Sequence, residues 1–207
     1  VSITGTSMNL KVKSSVWNIM KPHQKVVVKQ ILQKVGVEKL GFLLAHSMGL
    51  GKTLDACVVI DTLLSYQKHM KVVVICPLGV IEHWQKEMSR PELSLAHYTY
   101  RGWNDHVLYM NWIATGGVLL MGHDRFRVMQ EDVSTRIKYE FLVVDEAHKL
   151  KNPQGLLYKA IHDYSDETRR LFLTGTPLQN KLNEYWTMMS LVNPNLLGDQ
   201  NEFQKKY

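Results

Sequence analysis

The sequence predicts a three-layer α/β fold, a mainly parallel sheet covered by helices on both faces. Short β-branched runs alternate with amphipathic stretches, and the runs are apolar from end to end instead of alternating with polar residues. A strand that is apolar throughout is buried on both faces, which is the condition of a parallel sheet between helices. At 207 residues, with 45% hydrophobic and 21% charged residues, the chain can bury one substantial core.

The elements follow in order. The first 20 residues read as an irregular or strand-like extension, so the domain proper is expected over 21–207. A helix is predicted from about Pro22 to Val35, since a first-turn proline needs no amide partner. GFLLA at 41–45 reads as a buried strand, followed by a Gly-rich loop and the helix TLDACVVIDTLLSYQ. Further strands are predicted at 72–76 (VVVIC), 95–100 (LAHYTY), 117–121 (GVLLM), 141–145 (FLVVD) and 170–174 (RLFLT). Helices fill the gaps at about 80–89, 105–114, 154–164 and 182–192. NPNLLGDQ at 193–200 reads as a break before a last short helix, and crossovers between strands are expected to be right-handed.

Charge and cysteines narrow the class. No apolar run reaches membrane-spanning length, and the opening VSITGTSMNLKVKSS lacks the apolar core of a signal peptide, so a soluble intracellular protein without membrane contact is expected. Cys57 and Cys76 each sit beside Val or Ile and read as small buried hydrophobes. The histidines show no zinc-binding spacing. The net charge of +6 resides in residues 1–40, where seven lysines face the single acid Glu38. That segment can follow a phosphate backbone or form a solvated helix face, and the solvated face is the plainer reading.

Three segments carry chemistry. After GFLLA comes HSMGLGKT, where Gly49 and Gly51 let the backbone wrap around anionic oxygens. The helix starting at Lys52 adds its positive dipole end, Lys52 can neutralise β and γ phosphates, and Thr53 offers a hydroxyl to Mg²⁺. The first glycine of the full phosphate-loop pattern is absent, His46 standing in its place. A helix cap alone explains glycine but not the Lys-Thr that follows. The second segment, FLVVDEAH, ends a strand in two carboxylates, expected at the sheet edge that carries the loop. Asp145 is placed to hold Mg²⁺, and Glu146 to orient and deprotonate an attacking water. The plainer alternative is a helix N-terminus that favours acids. The third, RLFLTGTPLQN, is by itself only a polar turn with Thr174, Thr176, Gln179 and Asn180.

Together AHSMGLGKT, DEAHKLKN and LTGTPLQN resemble motifs I, II and III of helicase superfamily 2, in the spelling of the SWI/SNF-type ATPases. KPHQ resembles the glutamine motif, VVVICPLGVIEHWQKE motif Ia, GGVLLMGHDRFR motif Ib, and NLLGDQNEFQKKY the end of the first lobe. The resemblance implies a RecA-like P-loop NTPase lobe that binds ATP through Gln24, His46, Ser47, Met48, Gly49, Leu50, Gly51, Lys52 and Thr53. It implies Mg²⁺ at Thr53 and Asp145, and coupling through His148, Thr174, Thr176, Gln179 and Asn180. Pro77, Trp84, Gly122, His123, Lys149 and Lys151 would touch the DNA backbone. Most of the family carries Asp-Glu where His46 and Ser47 stand; His-x-Met-Gly-Leu-Gly-Lys-Thr is similar to the ATRX-like branch, which usually has tyrosine in place of His123.

Implied partners are double-stranded DNA, nucleosomes and a second RecA-like lobe, in the nucleus. The motifs reach Tyr207 without that second lobe, so arginine fingers, typically worth ~10³ to 10⁵ in rate, are not contained here and slow hydrolysis is expected of this piece alone. A non-catalytic DNA- or protein-binding module is the competing reading, opposed by intact Lys52, Thr53, Asp145 and Glu146. A strand-separating or RNA-directed motor is opposed by TGTPLQN.

Overall fold

The computed structural model describes residues 2–4, 9–93, 95–132, 136–163, 168–175, 182–194 and 196–206. Its centre is a parallel sheet of six strands among the described residues: β3 (Phe42–Ala45), β4 (Lys71–Cys76), β5 (His97–Thr99), β6 (Gly117–Gly122), β7 (Phe141–Val144) and β8 (Arg169–Thr174). Their order across the sheet is β3-β8-β7-β4-β6-β5, every neighbouring pair parallel. β5 is shorter than the predicted 95–100.

Successive strand residues point to opposite faces, and both faces are apolar, so two cores form. On one face Val72, Val74, Val118, Leu120 and Leu171 pack under α2 (Pro22–Ile31), α3 (Lys52–Tyr66) and α4 (Ile81–Met88). On the other, Val73, Ile75, Leu119, Leu142 and Phe172 pack under α5 (His106–Thr115), α6 (His123–Glu131), α7 (Leu156–His162) and α8 (Leu182–Val192). A last helix, α9 (Gln200–Lys206), rests Phe203 near Tyr185 of α8.

Three stretches add to or depart from the sequence reading. The first 20 residues, read as an irregular or strand-like extension, contain two short strands and a helix whose described residues reach the core. Strands β1 (Ser2–Thr4) and β2 (Asn9–Lys11) pair antiparallel, and α1 (Ser14–Ile19) follows. Leu10, Val12, Val16 and Met20 are buried in the same core as α2 and α3, Leu10 from β2, Val16 from within α1 and Val12 and Met20 from the residues flanking that helix. Helix α6 was not anticipated at all. HDRFRVMQE is strongly polar, and its buried apolar residues Phe126 and Met129 make too narrow a stripe to give a clear period. The helix predicted to Val35 changes at Leu32, where a π-helical turn over Leu32–Val37 brings Gly36 against Leu10.

Four of the seven lysines of the basic segment have partners within the molecule. Lys13 pairs with the buried Asp61 at 2.7 Å, Lys34 pairs with Glu38 at 2.6 Å, and Lys25 and Lys29 lie 5.7 and 5.4 Å from the Trp17 ring.

Candidate functional site

The parallel order brings every strand's carboxyl end to one edge. β8 lies between β3 and β7, with Ala45 opposite Thr174 and Val144 opposite Phe172. The loop 46–51 after β3 and the acidic pair after β7 are therefore flanked by the same strand. Gly175, just past β8, closes the gap: a Cβ there would lie 2.9 Å from Met48 Cγ and 3.5 Å from Lys52 Nζ. This is the edge where ligands collect in open α/β sheets.

Within the loop Gly49 and Gly51 have φ of +79° and +84°, a left-handed conformation that side chains disfavour. Gly51 caps α3, so the first amides of that helix have no partner within it. Lys52 folds back into the loop and donates to the His46 carbonyl at 2.8 Å and the Ser47 carbonyl at 3.2 Å. Met48 and Leu50 are exposed, and nothing stands within 4 Å of a Cβ at Gly49. An ammonium turned into a glycine cradle at a helix N-terminus is a donor set that fits phosphate, with Thr53 next to it for a metal ion. Burial, then the charges of His23 and Lys52, hold His46 below the usual imidazole range.

Gln24 was read from the glutamine motif as facing an adenine edge; here its amide is committed elsewhere. Its oxygen accepts the Lys21 N–H at 3.1 Å, and its nitrogen donates to Asp55 Oδ1 at 2.8 Å and the Gly51 carbonyl at 3.4 Å. At 4% exposure it clamps the start of α3 to α2. Asp55 itself was missed by sequence reasoning. It is wholly buried one turn after Lys52, and an acid inside the apolar run LDACVVI was the available signal.

Among the described site residues, Asp145 is held at four atoms. Its amide donates to the Ile75 carbonyl at 2.9 Å, and its carbonyl accepts from His123 Nε2 at 2.9 Å. Its Oδ1 accepts the Glu146 N–H at 2.9 Å, and its Oδ2 accepts the Trp84 indole N–H at 2.9 Å. Glu146 takes φ of +52°, uncommon for a side-chain-bearing residue and typical of strained functional sites. A short 3₁₀ turn, Ala147–Leu150, follows, and His148 Nδ1 lies 3.0 Å from Glu146 Oε2 without hydrogen-bond alignment.

The residues read as DNA contacts divide. Trp84, at 0% exposure, and His123, at 7%, are buried inside α4 and α6 and spend their N–H groups on Asp145, so neither offers a surface to a duplex. His123 donates through Nε2 and its Nδ1 has no partner; burial, followed by the Lys149 charge, lowers its pKa and favours the neutral ring. Gly122 is buried, with Leu78 packed where a Cβ would be. Pro77 is half-buried, while Lys149 and Lys151 are exposed, Lys151 lying 3.7 Å from Glu184. Thr174 is buried at the end of β8; Thr176, Gln179 and Asn180 lie outside the described residues.

Sheet order, glycine cradle and acidic strand end together define a RecA-like nucleotide-binding lobe. The family model of the SNF2-related domain matches residues 23–207, and the chain belongs to that family. An ATRX homologue described as a transcriptional regulator, from Drosophila melanogaster, is 30% identical over 96% of this chain and 18% of its own length. A RAD54-like DNA repair and recombination protein from Drosophila ananassae is 31% identical over 92% of this chain and 26% of its own. The Sulfolobus solfataricus SWI2/SNF2 ATPase core, solved in complex with dsDNA, superimposes with a TM-score of 0.78 at 26% identity, covering 99% of this chain and 41% of that one. The chain thus spans about a quarter or less of the length of these curated relatives.

Proposed function

We propose that this chain is the ATP-binding lobe of a nuclear DNA-dependent ATPase that translocates on double-stranded DNA and remodels nucleosomes or other protein–DNA complexes. The observation that carries the reading is the flanking of β8 by the Lys52 loop and by Asp145-Glu146. A nucleotide's phosphates take the place of the His46 and Ser47 carbonyls as partners of Lys52, and the loop amides and the α3 N-terminus hold the remaining oxygens. Thr53 and Asp145 hold Mg²⁺, which supplies charge neutralisation of the phosphates. Glu146 orients the attacking water and takes its proton.

DNA is held sequence-independently by Lys149, Lys151 and the turn at residues 77–80, all at the carboxyl edge, so affinity falls with salt. Turnover at full rate needs a second RecA-like lobe to supply arginine. Among family branches we favour the ATRX-like one, on the His46-Ser47-Met48 spelling. The test is paired: titration of an ATP analogue with Mg²⁺ into this chain, and phosphate release with and without duplex DNA in the two-lobed protein. Lys52→Ala should weaken the analogue by about 100-fold, losing ~3 kcal/mol of charge-assisted bonding, and should abolish DNA-stimulated release. Equal affinity and turnover in the variant would refute the reading.

A further inference from the structure

We propose that Trp84 is a positioning residue for the metal carboxylate: its buried indole N–H fixes the Asp145 side chain in the orientation that receives Mg²⁺, tying α4 to the metal site. The inference rests on the reading of Asp145 as a Mg²⁺ ligand.

A carboxylate offers two oxygens with about four lone-pair positions in all. In Asp145 each oxygen takes one donor, Glu146 N–H on Oδ1 and Trp84 Nε1–H on Oδ2, both at 2.9 Å. Two donors on two oxygens set the rotation of the group while leaving a lone pair on each for a cation. Indole nitrogen is a donor only, so it orients the carboxylate without competing for the metal. Trp84 is 0% exposed, and its N–H is spent on Asp145.

The contrast with Trp112 shows that a buried indole has a simpler solution available. Trp112 is equally buried and gives its N–H to the backbone carbonyl of Gly117 at 3.0 Å. Trp84 instead reaches from the helix layer on one face of the sheet to a carboxylate at its edge. His123, from the layer on the opposite face, secures the same residue's carbonyl. Outer partners of this kind orient metal-binding carboxylates in general. Trp84 also lies four residues beyond Val80, the end of a short turn in which Leu78 is 72% exposed.

The test replaces the N–H and reads the metal apart from the nucleotide. Trp84→Phe, and a chain carrying 3-benzothienylalanine at position 84, which keeps the bicyclic shape without the N–H, are titrated with a fluorescent ADP analogue in EDTA and across a Mg²⁺ series. The expected result is parental affinity in EDTA and a Mg²⁺ midpoint raised by about 10-fold, the scale of an outer-partner loss. A purely structural indole would leave the midpoint where it is in the isosteric chain, and that result overturns the proposal. The isostere decides alone where Trp84→Phe does not fold. Asp145→Asn separates the two inferences. If it keeps the parental Mg²⁺ response, the reading of Asp145 itself fails; if it loses the response while the benzothienyl chain keeps it, only the role of Trp84 fails.

Discussion

Replacing Asp55 by Asn should change how stability depends on pH. Asp55 is 0% exposed in α3; its Oδ1 takes the Gln24 amide at 2.8 Å, and its Oδ2 has no partner. Burial outweighs the Gln24 bond and the Lys52 charge, and pushes the carboxyl from 3.8 up to about 7. The unfolded chain therefore gives up this proton first. Stability contributed by the group falls as pH rises from about 4 to about 7 and levels off above that. Between pH 5 and pH 8 the loss is roughly 2 to 3 kcal/mol. Asp55→Asn keeps the shape and the acceptor for Gln24 but cannot ionise. Urea denaturation of both chains without nucleotide, at steps from pH 5 to pH 8, should show the difference moving in the variant's favour by that amount. For a domain of this size the shift corresponds to roughly 5 to 10 °C in Tm. Titrations elsewhere cancel in the difference, so a difference independent of pH would refute the buried charge.

Glu146→Gln should keep nucleotide affinity and slow hydrolysis by roughly 10² to 10⁴, read as phosphate release; unchanged release would remove Glu146 as the base. Gly41→Ala should cost about 3 kcal/mol in denaturant unfolding, because its Cβ would stand 2.0 Å from the Val192 carbonyl oxygen where Asn193 already bridges to the Gly41 backbone. Cys57 and Cys76 should ignore a thiol reagent in the folded chain and react on unfolding. Burial raises both thiols, Cys76 to about 12 with the Asp145 charge adding to the effect, so rapid native labelling would contradict the packing.

Much of the edge chemistry was readable because it is local. HSMGLGKT carries loop and helix start, and FLVVDEAH strand and turn, each within eight consecutive residues, and the structure puts each group of polar residues just past a strand's carboxyl end. The two thiols were likewise readable from their apolar neighbours, and both are buried. What was misread has a common cause. Trp84 and His123 were read as DNA contacts from motif position, but each is turned inward to Asp145 by helices whose placement depends on strands far along the chain. The bond of Gln24 to Asp55, 31 residues away, likewise left no trace in the local sequence.

By itself the sequence determined the elements that arise from contacts between near neighbours: the apolar strands, the glycine cradle before Lys52, and the acidic pair after a buried strand. Periodicity and backbone conformational preference act over a few residues and leave a trace in composition. Only the tertiary structure decided that β8 lies between the two halves of the site, that Leu10, Val12, Val16 and Met20 join the core, and that Asp145 is held by helices from both faces of the sheet. Those outcomes depend on strand order and on hydrogen bonds spanning tens of residues, where many partners are chemically equivalent and packing selects among them.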